Sequence, residues 1–381
     1  MVKTAFRMLI GNKVVFIGMI FGIFLAILLI SQQSAIYLGL ISRSYRIVTN
    51  NPLPDIWVID PATEGEDLIR SMPKDYLQYI RSSPNIEWAV PVNYLLMPLK
   101  TPSGKYKVAE IYGFDDQTLL GVPKLLQGSI DDIYREGAVI IDSNSAENLL
   151  AKTLLDGKKV PLGIGDELEI NGSRVVVVGI GQTIPGFFPQ PIIFATNSLV
   201  QQLGGSSRIQ YIAAKSRKDT DIQSILEQIN SNKKFLALTR KQLESRIANH
   251  FLQTGIFINY GISVLLGMII GFSIAGQIFY IMILQNLGYY ALIKALGGTE
   301  KMLLKMILFQ ALIVGIIGYI LGTAVTLLWG FATKNTTLTF EFPWTLLLFT
   351  GSVALLICSF IAFLSIKKVF KVDPHTLMSS L

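Results

Sequence analysis

Four windows of this chain contain no Asp, Glu, Lys, Arg or His: Val14 to Ser42, Phe251 to Ile293, Met306 to Thr333 and Phe342 to Ile366. A helix rises about 1.5 Å per residue and a bilayer's hydrocarbon core is roughly 30 Å thick, so each window is long enough to cross it. Inside lipid an isolated run must satisfy its own backbone hydrogen bonds, which selects the helix. We therefore read residues 14–42 as a first span with a stalk, 251–285 as the second span, 301–333 as the third and 342–366 as the fourth. Hydrophobic residues make up 51% of the chain and charged residues 15%, too apolar for a soluble protein and too charged for one wholly in lipid. The charges collect between about Arg43 and Arg246. The expected fold class is thus membrane α-helical, with four transmembrane helices and a large mixed α/β extracytoplasmic domain inserted between the first and second spans.

Charge placement orients the chain. Lys3, Arg7 and Lys13, then Lys294, Lys301 and Lys305, then Lys367, Lys368 and Lys371 all fall on one side of a four-span arrangement, whereas the opposite loop 334–341 carries only Lys334 and Glu341. By the positive-inside rule both termini are expected in the cytoplasm and residues 43–250 outside. Residues 1–13 read as an amphipathic opening helix on the inner surface and residues 367–381 as a cytoplasmic tail. A cleaved signal peptide would also place basic residues before an apolar run, but Val14 to Ile30 is long for one and no small-x-small cleavage site follows.

The external block opens with a turn-rich Asn50-Asn-Pro-Leu-Pro54 and a short strand over Asp55 to Asp60. Helical spacing over Pro73 to Arg81 precedes strands over Trp88 to Leu99 and Lys105 to Phe114. A β-rich subdomain is expected over about 128–203, with a strand at Ala138 to Ile141 and a polar helix start at Asp142 or Ser143. Within it Asn171-Gly172 joins two strand-like runs and predicts a type I′ hairpin, because both turn residues must accept positive φ. Gly186-Phe-Phe-Pro-Gln-Pro191 sets Phe187 and Phe188 beside rigid prolines, which suits an external contact or ordinary core packing. A strand at Ile209 to Ala214 and helices at Thr220 to Asn230 and Lys241 to His250 complete the block.

Between the second and third spans lies Asn286-Leu-Gly-Tyr-Tyr-Ala-Leu-Ile-Lys-Ala-Leu-Gly-Gly298. Tyr289, Leu292, Ile293 and Leu296 fall on one apolar helix face and Asn286, Tyr290 and Lys294 on another. Gly297-Gly298 should stop the helix, and Thr299 with Glu300 should start the next. An ordinary loop on the headgroups would share this spacing. Within the spans, Gly18 with Gly22, Gly267 with Gly271, and Gly318 with Gly322 are small-x-x-x-small pairs suited to close helix packing in a bundle or a dimer.

Several chemistries are poorly served. No run of basic residues interleaved with aromatics accompanies the net charge of +7, so nucleic acid is set aside. The one cysteine, Cys358, allows no disulfide within the chain. The two histidines, His250 and His375, are expected on opposite sides of the membrane and cannot share a site, and no metal site is expected. Asp115-Asp116 and Asp131-Asp132 read as solvated turns. Gly179-Ile-Gly181 lacks the third glycine of a dinucleotide fingerprint and reads as a strand exit, and no P-loop sequence is present. The uncharged spans argue against an ion-coupled carrier.

The order of elements, Thr4 to Lys13, Tyr290-Ala-Leu-Ile-Lys-Ala-Leu-Gly297, the glycine pattern from Gln310 to Gly322, Gly165-Asp-Glu-Leu-Glu-Ile with Val175 to Gly179, and the basic tail from Lys367 to Met378 resemble the MacB, LolC and FtsX-like permeases of ABC transporters, most closely the DevC-type separate permease. Asn286 and Leu377-Met378 depart from the usual pattern. The resemblance implies a transport subunit rather than an enzyme, with no cofactor on this chain and with ATP and Mg held by a separate ABC ATPase subunit. Tyr289, Tyr290, Leu292, Ile293, Lys294, Leu296 and Gly297, within residues 286–300, would couple to that ATPase. It further implies a second permease copy or paralogue, contact with membrane lipids, and a place for a periplasmic membrane-fusion adaptor and an outer-membrane channel. The substrate would be hydrophobic or amphipathic. A membrane-anchored sensor with a periplasmic ligand-binding domain shares the topology but gives no reason for the Ala-Leu-Gly element.

Overall fold

The structure, a computed structural model, describes residues 2–65, 68–153, 158–186, 190–253, 255–333 and 338–370. The chain begins with α1 (Val2–Gly11), α2 (Lys13–Ser44) and α3 (Arg46–Thr49). It continues through β1 (Ile56–Ile59), α4 (Asp75–Arg81), β2 (Ile86–Lys100), β3 (Tyr106–Phe114), β4 (Lys124–Gly128), β5 (Ala138–Asp142), β6 (Lys152–Thr153) and β7 (Lys159–Val160). Next come β8 (Glu167–Ile170), β9 (Ser173–Gln182), β10 (Ile192–Thr196), α5 (Asn197–Gly204), β11 (Tyr211–Ser216), α6 (Ile222–Asn230), β12 (Leu236–Thr239) and α7 (Arg240–Gln253). It closes with α8 (Ile256–Gln285), α9 (Leu287–Ala295), α10 (Glu300–Thr333) and α11 (Trp344–Phe370). Two compact units result, one from Ile41–Thr254 and one from Met1–Leu40 with Gly255–Leu381.

In the helical unit, the membrane-length segments are Lys13–Ser44, Phe257–Gln285, Glu300–Thr333 and Trp344–Phe363. Their ends differ from the sequence reading where caps decide. Asn12 breaks the first helix from the second: its side chain accepts from Val15 N at 3.3 Å, and its amide reaches Gln285 Oε1 at 3.2 Å. Gly255, at φ 78°, separates α7 from α8, so the second span begins after the left-handed residue rather than at Phe251.

All six glycines of the small-residue pairs stand at helix crossings. A Cβ on Gly22 would lie 3.0 Å from Ala275 N, and one on Gly18 3.3 Å from Ile278 Cδ1, both across the α2–α8 contact. From the α8 side, Gly267 faces Leu29 and Gly271 faces Ala26, where an added Cβ has no room. Gly318 faces Ile23 at 2.8 Å and Gly322 faces Ile27 at 2.9 Å. The pairs are thus used within the chain, with α2 packed against both α8 and α10. A Ser31–Thr326 hydroxyl contact of 2.6 Å adds a polar tie between α2 and α10.

The sheet unit is organised by β2. The strand order is β12-β1-β11-β2-β3-β10-β5-β9-β4, with β8 pairing β2 and β9. β11 pairs the first half of β2, Ile86 to Val92, and β3 pairs the second half, Asn93 to Lys100. Each half has its own core. Ile56, Val58, Ile212 and Ala214 pack under Leu77 and Ile80 of α4 and Ile225, Leu226 and Ile229 of α6. Met97, Leu99, Ala109, Ile111, Val139, Ile141, Val175 and Val177 form the other core, with Val200 and Leu203 of α5. The β-rich part therefore starts midway along β2, ahead of the expected boundary near Gly128, because alternation along one uninterrupted strand serves two cores and leaves no composition shift to read.

The hairpin at Asn171-Gly172 has φ values of 49° and 81°, and Ile170 pairs with Ser173, as the type I′ reading requires. The polar start after β5 opens a short helical segment at Ser143 that widens into the turn Ser145–Leu149, closed by Leu150 N to Ser145 O at 2.8 Å. Gly179 and Gly181 fall in the last four residues of β9, at its exit. Their missing side chains admit Leu125 and Pro123 from the neighbouring chain segment. Asp115 is not solvated: it is a buried turn cap accepting from Thr118 N at 2.9 Å and Thr118 Oγ1 at 3.0 Å.

Candidate coupling surface

The stretch after the second span folds as α9, and local chemistry sets both ends. Asn286 closes α8 by donating from its side chain to Met282 O at 2.8 Å, and its carbonyl accepts from Tyr290 N. At the other end Gly297 is left-handed at φ 88°, and Gly298 N reaches back to Ile293 O at 2.9 Å, a glycine-dependent helix stop. Thr299 O accepts from Leu303 N as α10 begins.

Burial divides the seven residues assigned to coupling. Leu296 is 81% exposed, Tyr289 61% and Leu292 48%, so an apolar triad at i, i+3 and i+7 stands open. Ile293 is half-buried against the helical core, and Lys294 is half-buried. Tyr290 stands apart from the open face. It is 1% exposed, inside the chain's own core, and inaccessible for docking. The face read as polar, through Asn286 and Tyr290, is the one turned inward, because the tyrosine hydroxyl finds an internal partner and its ring then packs as a hydrophobe.

That partner is Gln310. The Tyr290 hydroxyl donates to Gln310 Oε1 at 3.0 Å, and Gln310 Nε2 donates to the carbonyl of Ala5 at 2.9 Å. Burial pushes the Tyr290 phenol up, against the opposing effect of the Gln310 hydrogen bond. α1 turns Ala5, Met8 and Leu9 inward and leaves Phe6 and Arg7 exposed. Lys13, Lys301 and Lys305 are exposed at the same end of the unit. Sequence reasoning passed over Gln310, although it is the only amide in the window Met306 to Thr333.

Elsewhere, Phe187 and Phe188 lie outside the described residues, as does His375. His250 Nδ1 stands 3.2 Å from Glu64 Oε2, beside an open cavity of about 580 Å3 lined in part by Lys241, Gln242 and Arg246. Among the described residues no group of three His, Cys, Asp or Glu side chains is placed to hold a metal ion.

Membrane-length helices joined to a mixed-sheet unit, with an exposed apolar triad on a short helix between two of them, define a multi-pass membrane protein with a large mixed α/β domain. The sequence matches the MacB-like periplasmic core domain over residues 15–232 and the FtsX-like permease C-terminal domain over residues 261–374. The chain belongs to the MacB/FtsX-like permeases of ABC transporters, inner-membrane proteins with a periplasmic domain that work with an ABC ATPase. Solved structures similar to part of it include the periplasmic region of MacB from Actinobacillus actinomycetemcomitans, at 19% identity and a TM-score of 0.39, covering 53% of this chain and 96% of that one. The extracellular domain of the noncanonic ABC-type transporter YknZ from Gram-positive bacteria is similar at 14% identity and a TM-score of 0.35, covering 49% and 99%. A domain of a putative permease from Porphyromonas gingivalis is similar at 13% identity and a TM-score of 0.32, covering 48% and 88%. No curated protein matches the sequence.

Proposed function

We propose that this chain couples ATP hydrolysis by a separate ABC ATPase to movement of its periplasmic domain, driving export or extraction of a hydrophobic or amphipathic substrate. The observation that carries the reading is the exposed triad Tyr289, Leu292 and Leu296 on α9. Three large apolar groups on one short helix are a surface to be covered, and a groove on a partner covers them with a gain of about 25 cal/mol per Å2 buried before ordering costs. ATP and Mg belong to that partner. Both termini are cytoplasmic in this scheme, residues 43–250 lie outside between the first and second spans, and a second permease copy or paralogue completes the pair. An adaptor and an outer-membrane channel extend the same scheme across the periplasm, as in a DevC-type arrangement.

Isolation of the complex from native membranes tests the reading. An ABC ATPase that co-purifies, and whose hydrolysis rises when this chain is reconstituted with it, is the expected result. Lys294→Cys, in a background with Cys358→Ser, should react with a membrane-impermeant thiol reagent only after the cells are opened, while a cysteine at Gly172 should react in cells whose outer envelope alone is permeable. Labelling of position 294 from outside would defeat the orientation.

A further inference from the structure

Gln310 sits one-third of the way along a helix that spans lipid, and it is fully buried. Leucine or methionine would fill the same volume without the penalty of an amide in an apolar layer, and such an amide is tolerated only when its hydrogen bonds are made. Both ends of this one are used, and they go to different elements: Oε1 to the hydroxyl of Tyr290 on α9, and Nε2 to the carbonyl of Ala5 on α1. Tyr290 and Ala5 are themselves buried. A backbone carbonyl has two lone pairs, so Ala5 accepts this bond without leaving its helix. One side chain of α10 thus fastens two short helices that lie far apart in the sequence, one at its start and one beyond the second span. Each fastened helix turns apolar surface outward, Phe6 on α1 and Tyr289, Leu292 and Leu296 on α9.

We propose that Gln310 is a positioning residue that holds α1 and α9 in one fixed arrangement, and that the ATPase is met by both helices, with Phe6 supplying contact from α1. This rests on the coupling reading above. The amide transmits rather than binds: a partner pressing on the exposed sides of α1 and α9 moves α10 through it, and its loss lets each short helix yield separately.

The experiment uses the full chain reconstituted with the ATPase that co-purifies with it, and separates affinity for the ATPase from the maximal hydrolysis rate at saturating permease. Gln310→Leu should keep affinity within about twofold and lower the stimulated maximum at least about fivefold, the factor for one net hydrogen bond, since it removes two. Tyr290→Phe should act in the same direction more weakly, since Ala5 stays tied, and the double variant should be no worse than Gln310→Leu alone. Phe6→Ala should weaken affinity and leave the maximum intact. Thr326→Val, which removes the equally buried contact with Ser31, serves as the control and should leave both unchanged. A wild-type maximum for Gln310→Leu, or an equal fall for Thr326→Val, would reduce the amide to ordinary packing. If Gln310→Leu does not fold, Tyr290→Phe and Phe6→Ala still decide, and wild-type behaviour of both overturns the proposal. Leu296→Glu is run beside them: if it binds and stimulates normally, the coupling reading itself fails, whereas a Leu296→Glu defect with a normal Gln310→Leu removes only the positioning role of Gln310.

Discussion

Arg46 and Glu110 form an ion pair with their side chains 1% and 2% exposed. Arg46 is the first residue of α3, immediately beyond α2, and its guanidinium carbon also lies 5.3 Å from the centre of the Tyr112 ring. Glu110 is on β3, in the β-rich half of the sheet unit. A Cβ on Gly186 would come within 2.6 Å of Arg46 Nη1 and 2.9 Å of Glu110 Oε1, so the absence of a side chain at that residue lets its backbone lie over the pair. α3 is held to the same half of the sheet by Asn50 Nδ2, which donates to Thr183 Oγ1 at 2.7 Å.

Breaking the pair from one side strands a buried charge. Glu110→Ala or Arg46→Ala should each destabilise the sheet unit by about 3–5 kcal/mol, while Arg46→Met with Glu110→Leu should recover most of that loss. Denaturant unfolding of the full chain in detergent, followed through fluorescence with Trp88, Trp329 and Trp344 replaced by phenylalanine so that buried Trp57 is the one tryptophan, reports it. A double variant as unstable as either single one would show that the pair is held for something other than charge compensation.

The helix crossings predict a graded glycine series. Gly271→Ala and Gly322→Val should lower the thermal midpoint in detergent, because the new Cβ meets the facing helix in each case. Gly261→Ala and Gly288→Ala meet nothing within 4 Å and should be neutral, or stabilising by about 0.5–1 kcal/mol through helix propensity. Equal effects across the four would contradict the packing described.

How much of this was legible in the sequence varies with the kind of signal. The spans, the six packing glycines and the Asn171-Gly172 turn could be read because length, small-residue spacing and positive φ are local properties. The inward turn of Tyr290 could not, since helical periodicity distinguishes faces but does not say which is covered, and here a glutamine 20 residues on decides. Arg46–Glu110 joins residues 64 apart that carry no pattern of their own. The division of the sheet into two cores is hidden for a similar reason, because β2 reads as one strand whichever core its residues face.

Asp142 gives the sheet unit a pH signature. Burial raises its carboxyl above the ordinary 3.8, outweighing the lowering effect of hydrogen bonds from Ser145 and Thr183. The folded state then binds the proton more tightly than the unfolded chain, so this residue's contribution favours folding at low pH and declines as the pH rises from about 4 through the raised value. Asp142→Asn removes the titration. The difference in unfolding midpoint, wild type minus Asp142→Asn, should fall across that interval and then level off; a difference that rises with pH would mean that the hydrogen bonds outweigh burial.

The central claim is that α9 docks an ATPase through its exposed face, and Leu296 is the most exposed member of the triad. Leu296→Ala should weaken docking modestly. Leu296→Glu should abolish it, since a carboxylate driven into an apolar groove without a partner costs several kcal/mol. Neither change should disturb the sheet unit, whose Trp57 fluorescence in the single-tryptophan background serves as the internal check. The decisive measurement is reconstitution of Leu296→Glu with the co-purifying ATPase, following complex formation and stimulated ATP hydrolysis together. Loss of both with the fold intact is the predicted result, and wild-type binding with wild-type stimulation would contradict the account.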